Sequence, residues 1–250
     1  MTTNEDKPLR EKYKEDFVKW TNAKDWPQLI QLNREFILDC RAGKDVATPY
    51  WVGRLYDETI PLIDALLRLH DLGLLTTGSQ PQISSEIGEY NEGYYECKQI
   101  PFVDFMVPRG EAVLPLVEKL LEDKELICQV IELGPGLSRF WPGSYTERVE
   151  VTHYRIGQSK EQLPSAKWIV QTTFPKEPLA LEDTSFDELP STKEKYFFWC
   201  IIATRDDIDL LRRVEDHAIE AGLTMSKAEQ AFESATSSHA NGVDSSEDTE

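Results

Sequence analysis

The chain has 250 residues, 40% of them hydrophobic and 29% charged, with six Trp. That is enough to bury a core in one large domain or two small ones, and the mean hydropathy of −0.46 suits a globular chain in water. A formal net charge of −18 disfavours nucleic acid and anionic membranes as partners. It is compatible with a basic partner, although such charge serves solubility first.

Residues 8–22 read as a short charged helix carrying Tyr13, Phe17 and Trp20, and residues 26–41 as a second helix. In the second, Pro27 suits the first turn, and Leu29, Leu32, Phe36, Ile37 and Cys40 recur at three- and four-residue steps. Residues 44–55 are expected as a loop holding Tyr50 and Trp51. A third helix is expected at about 58–72, with Gly73 as a left-handed C-cap. A short extended segment, 74–77, then feeds a turn at 78–81. After a polar loop, residues 94–107 read as a strand, 111–123 as a helix and 126–133 as a strand. Further strands are expected at 146–156 and 166–174. Residues 175–194 read as a long loop with one helical turn near Phe186. A strand at 196–203 leads to a helix at 206–221, capped in the form Thr204-x-x-Asp207, and a short helix covers 225–235. From Ser234 onward there is almost nothing to bury, and residues 234–250 read as a disordered acidic tail.

The segments beginning at Pro101 and Tyr196 share a design: an aromatic-rich strand, a loop containing Arg (Arg109, Arg205), then an amphipathic helix. The expectation is an α+β fold of one compact domain over residues 1–233. Its N-terminal helical part (about 8–73) packs on a mixed β-sheet built from strand–helix units (about 74–233).

Cys40, Cys97, Cys128 and Cys200 lie far apart, with no C-x-x-C pair and no His at metal spacing. Neither a disulfide framework nor a metal site is expected, and no cofactor motif is present. The polar start of the chain has no hydrophobic leader, and no apolar run reaches membrane-spanning length. The expected location is the cytoplasm.

The densest polar chemistry is Thr76-Thr77-Gly78-Ser79-Gln80-Pro81. Hydroxyls and glycine can gather around an anion or polar ligand, and Gln80 offers both a donor and an acceptor. Tyr50, Trp51 and Tyr95 are candidate walls, since loop aromatics line organic-ligand pockets. The plain alternative is that these residues make a turn and anchor loops. His70, late in the third helix, suits a capping role toward the last carbonyls and is also a candidate general base. His153 lies in a strand near Glu150 and Arg155. Cys97 would be a nucleophile only beside a histidine. Gly134-Pro135-Gly136 reads as a turn rather than a phosphate loop, because Pro135 has no N–H. Asp206, Asp207 and Asp209 read as first-turn acids rather than metal ligands.

The run Leu66-x-x-Leu69-x-x-x-Gly73-x-x-Thr76-x-x-Ser79-Gln80-Pro81, with Trp20, Thr48-Pro49 and Gln99-x-Pro101 around it, resembles a family of uncharacterised actinobacterial proteins. The likeness covers about residues 20–105 and departs at 98–101. It implies a shared fold and a common role for the Ser-Gln-Pro segment, and carries no activity. The expected function is therefore a non-catalytic intracellular binding protein for a small molecule or protein, with its site at 76–81. The alternatives are a hydrolase or transferase using His70 or His153, and an acidic inhibitor of a basic partner.

Overall fold

Strands that alternate apolar residues on both faces must be covered on both sides, and this requirement sets the layers of the protein. A computed structural model describes residues 11–90, 93–173, 177, 189–205 and 209–235. The expected tail beyond Ala235, the turn near Phe186, Asp206 and Asp207 lie outside those residues.

Helix α1 (Lys14–Asn22) leads to α2 (Trp26–Arg41), whose N-cap is Asp25, accepting from the Gln28 N–H. Two-residue strands β1 (Val46–Ala47) and β2 (Val52–Gly53) pair around Tyr50 and Trp51, so the expected loop is a small hairpin. A 3-10 turn (Asp57–Leu62) runs into α3 (Ile63–Asp71). Gly73, at φ +85°, closes α3, and the Leu74 N–H bonds the Leu69 carbonyl, as a glycine C-cap requires. The strands β3 (Leu75–Gln80), β4 (Ile83–Tyr90), β5 (Gly93–Gln99) and β6 (Phe102–Pro108) follow, then α4 (Leu114–Glu122), β7 (Ile127–Gly134) and β8 (Leu137–Phe140). The chain continues through β9 (Glu150–Gly157), β10 (Ile169–Thr173), β11 (Phe197–Ala203), α5 (Leu210–Glu220) and α6 (Met225–Ser234).

The expected α+β class and single compact domain are what the structure shows. A five-stranded sheet, ordered β3-β6-β11-β7-β8, forms the centre; a four-stranded sheet, β10-β9-β5-β4, stands beside it. Every strand pairing among the described residues is antiparallel. In the central sheet Val103, Phe105, Phe198, Cys200 and Val130 pack with α3, α4 and α5. Alternate residues, Met106, Phe197, Ile201 and Ile131, pack with α1, α2 and α6. The two strand–helix units sit side by side: β6 and β11 pair in unbroken register, and α4 and α5 pack against each other on one face.

Three expectations need correction. The single strand at 94–107 is two strands in different sheets, because Pro101 cannot donate to a ladder and the chain changes sheets there. The polar loop before it is β4. Its Ile83, Ser84, Ser85, Glu86 and Ile87 carry little apolar signal because that sheet is largely exposed. The cap of α5 is Asp209, which accepts from the Arg212 N–H at 3.2 Å. Thr204 instead donates to the Glu125 carbonyl.

The candidate site: a cleft beside the edge strand β3

Residues 76–81 are not a turn. Residues 76–80 form most of β3, the edge of the central sheet, interrupted by a bulge at Thr77 between the pairs Thr76–Phe105 and Gly78–Asp104, and Pro81 follows its end. The β-branched Thr76 and Thr77 favour a strand, and the glycine marks a bulge with a close approach rather than a reversal. A Cβ on Gly78 would stand 2.8 Å from Asp104 Oδ1. The bulged Thr77 turns its hydroxyl onto that carboxylate, donating at 2.7 Å. Burial pushes the Asp104 carboxyl up to about 6, opposed by the bonds from Thr77 and the Gly78 backbone.

Behind β3 lies a buried polar network centred on Asn33 of α2. Asn33 Nδ2 donates to the Thr76 carbonyl at 2.7 Å and to His70 Nε2 at 3.1 Å, and Asn33 Oδ1 accepts from Tyr50 OH at 2.5 Å. Thr76 Oγ1 also meets His70 Nε2, at 2.8 Å. Because an amide nitrogen can only donate, Nε2 accepts and the ring proton resides on Nδ1. Burial, aided by the Arg34 charge, lowers the His70 pKa to about 3. His70 is thus a neutral structural acceptor: the last-turn carbonyls of α3 are met by backbone N–H groups, and the expected capping role is not realised. The unfolded chain takes up a proton near pH 6.5 that folded His70 refuses, so its stabilisation is complete above that pH and lost as pH falls toward 3. We expect the stability difference between the wild type and His70→Gln, measured by urea unfolding, to shrink by about 1.4 kcal/mol per pH unit between pH 6 and pH 4.

Between β3, α2, the β1–β2 hairpin and one face of the second sheet opens a cleft of about 560 Å³. All six expected site residues line it: Tyr50, Trp51, Thr76, Ser79, Gln80 and Tyr95. Their roles divide. Tyr50 and Thr76 spend their hydroxyls on the Asn33 network, and Gln80 donates to the Ile100 carbonyl at 2.9 Å while accepting from Thr152 Oγ1 at 2.9 Å. These three hold the wall together, as the plain alternative expects. Ser79 has no side-chain partner among the described residues, and Trp51 and Tyr95 offer rings.

Sequence reasoning missed Asn33, Tyr56, Glu58, Glu86 and Gln99, which also line the cleft. For Asn33 a signal exists, since it is a polar residue on the buried stripe of Leu29, Ile30, Phe36 and Ile37. Glu86 and Gln99 are brought in by the pairing of β4 with β5, and Tyr56 and Glu58 by the placement of the 3-10 turn before α3. Cys97 lines the cleft, but burial raises its thiol pKa, and the charges of Glu58 and Glu86 raise it further. Neither His70 nor His153 is among the lining residues. His153 alternates away from Thr152 and faces Glu150 at 3.7 Å. Among the described residues no His, Cys, Asp and Glu cluster could hold a metal ion, and no helix is long and apolar enough to cross a membrane. Gly134-Pro135-Gly136 is the turn of the β7–β8 hairpin, with Gly136 at φ +67°.

No protein-family model and no curated protein matches the chain.

Proposed function

We propose that this chain is a non-catalytic binding protein and that the cleft beside β3 is its site, receiving a small molecule or a side chain of a protein partner. One observation carries the reading: the hydroxyl, amide and aromatic residues singled out by type converge on a single cleft. The enzyme reading needs a histidine at that cleft, and both candidates lie off it. Four free cysteines support a reducing compartment, and the cytoplasm is the one we propose.

Native mass spectrometry of the protein purified from its own host tests the reading. A co-purifying mass is expected in the wild type and absent from Ser79→Ala/Tyr95→Ala, a variant expected to melt within about 2 °C of the wild type because it touches no buried network. A mass retained equally by both proteins places binding elsewhere. Capture of a basic partner that weakens steeply with salt and ignores both substitutions favours the acidic-inhibitor reading instead.

A further inference from the structure

We infer that the cleft takes an organic cation, an ammonium or guanidinium group carried on an apolar body. The inference deepens the binding reading above and rests on it. The lining contains Glu58 and Glu86 and no Lys, Arg or His. Neither carboxylate has an ion-pair or hydrogen-bond partner among the described residues. Both act on the Cys97 thiol, so their fields meet at the same wall.

The hydrogen-bond inventory of the lining is one-sided. Its amide and indole donors and two threonine hydroxyls are spent: Asn33 Nδ2 on Thr76 and His70, Thr77 on Asp104, Gln80 Nε2 on Ile100, Thr152 on Gln80, and Trp51 Nε1 on the Arg54 carbonyl. Gln99 is only 6% exposed, yet it lines the cleft. Its Nε2 donates to the Pro81 carbonyl at 3.0 Å, and its amide oxygen has no donor among the described residues. The groups left over that accept and cannot donate are therefore Glu58, Glu86 and Gln99 Oε1. The leftover hydroxyls of Ser79, Tyr56 and Tyr95 can do either. A ligand that satisfies this set must donate.

The rest of the wall suits the other end of such a ligand. Trp51 and Tyr56 meet edge to face with centroids 5.5 Å apart, and Tyr95, Phe102 and Ile83 continue the apolar surface. Aromatic faces beside carboxylates attract a cation through the ring quadrupole as well as by charge. An anion would meet like charge, with only the Ser79, Tyr56 and Tyr95 hydroxyls left to donate to it.

Isothermal titration of the full chain with three probes sharing one body decides the matter: phenethylamine (charged at pH 7.5), 2-phenylethanol and 3-phenylpropionate. The amine is expected to bind at least tenfold more tightly than either of the others. In Glu58→Gln/Glu86→Gln the amine should lose at least tenfold in affinity at an unchanged melting temperature, with the alcohol unaffected. If the double variant melts early, Glu86→Gln alone, at an exposed position, should still lose several-fold. If the alcohol or the acid binds as tightly as the amine, and Tyr95→Ala abolishes it, the cleft remains a binding site and the cation assignment falls. No binding by any of the three at millimolar concentration also overturns the assignment. Amine binding that persists in Tyr95→Ala and in the double variant belongs to the acidic surface at large and sinks both readings.

Discussion

Replacing Trp26 by alanine is expected to lower the unfolding free energy by about 3–5 kcal/mol, among the largest losses of any single side chain here. Trp26 has no exposed surface, and its ring lies 5.8 Å from that of Phe197 and 5.7 Å from that of Phe232. It thereby joins α2, the centre of the main sheet and α6. Its Nε1 also donates at 2.8 Å to the carbonyl of Gly73, the residue that closes α3. Truncation opens a cavity among three elements and orphans a buried carbonyl at once. In urea the midpoint should fall at unchanged slope, with a drop of about 10 °C in melting temperature. Trp26→Phe separates the two effects: it keeps most of the packing and should cost about 1–3 kcal/mol for the lost bond. If Trp26→Ala costs less than about 1.5 kcal/mol, α2 is not anchored through this ring. The consequence reaches the cleft, because Asn33 stands two turns further along α2 and holds Tyr50 and Thr76.

How far the sequence discloses this arrangement depends on burial. Where an element is covered, its pattern is legible: α2, α3, α5, α6 and β11 occupy nearly the expected residues, because a packed stripe or a doubly covered strand leaves a strong apolar signal. The glycine at 73 is legible for the same local reason, a left-handed φ that few other residues adopt. The second sheet is where local reading fails. Ile87, Ile156 and Ile169 are about half exposed, and β4 mixes polar and apolar residues without a clear period, so it reads as loop. The segment 76–81 misleads in another way. Gly, Ser, Gln and Pro are turn residues by type, but here glycine admits a carboxylate and the strand continues past a bulge. The convergence of Tyr50, Trp51, Ser79 and Tyr95 was legible as chemistry before it was visible as geometry. Glu58, Glu86 and Gln99 were not, since nothing local distinguishes them from other surface acids and amides. Only the pairing of β5 with β4 sets Glu86 and Gln99 in one sheet, and only the tertiary fold brings the 3-10 turn that carries Glu58 to the same cleft.

The second large effect lies away from the cleft, at Glu132. This carboxylate is completely buried near the end of β7 and holds two guanidiniums, Arg109 Nε at 2.7 Å from Oε1 and Arg139 Nη2 at 2.8 Å from Oε2. The hairpin register puts Arg139 directly opposite Glu132, while Arg109 begins the loop after β6, its N–H bonded to the Tyr196 carbonyl just before β11. One buried charge therefore ties the ends of three strands, β6, β7 and β8, and the Arg109 backbone adds the start of β11. The three groups bound a second cavity of about 830 Å³, in which the guanidiniums already have their anion. The burden of mutation is unequal. In Glu132→Gln both arginines keep access to water, with side chains 28% and 58% exposed, so the loss should be about 2 kcal/mol. Arg109→Met/Arg139→Met leaves the carboxylate buried and uncompensated, and should cost about 3–5 kcal/mol. Adding Glu132→Leu to that pair removes the stranded charge and should recover most of the loss, because a buried ion pair exchanged for apolar side chains of similar volume is often close to neutral. Urea midpoints for the three variants test the order. If the double arginine variant proves no less stable than Glu132→Gln, the Glu132 carboxylate has reached water, and the strand ends are held by packing of Trp141 on Phe198 and of Tyr196 at Gly134 rather than by charge.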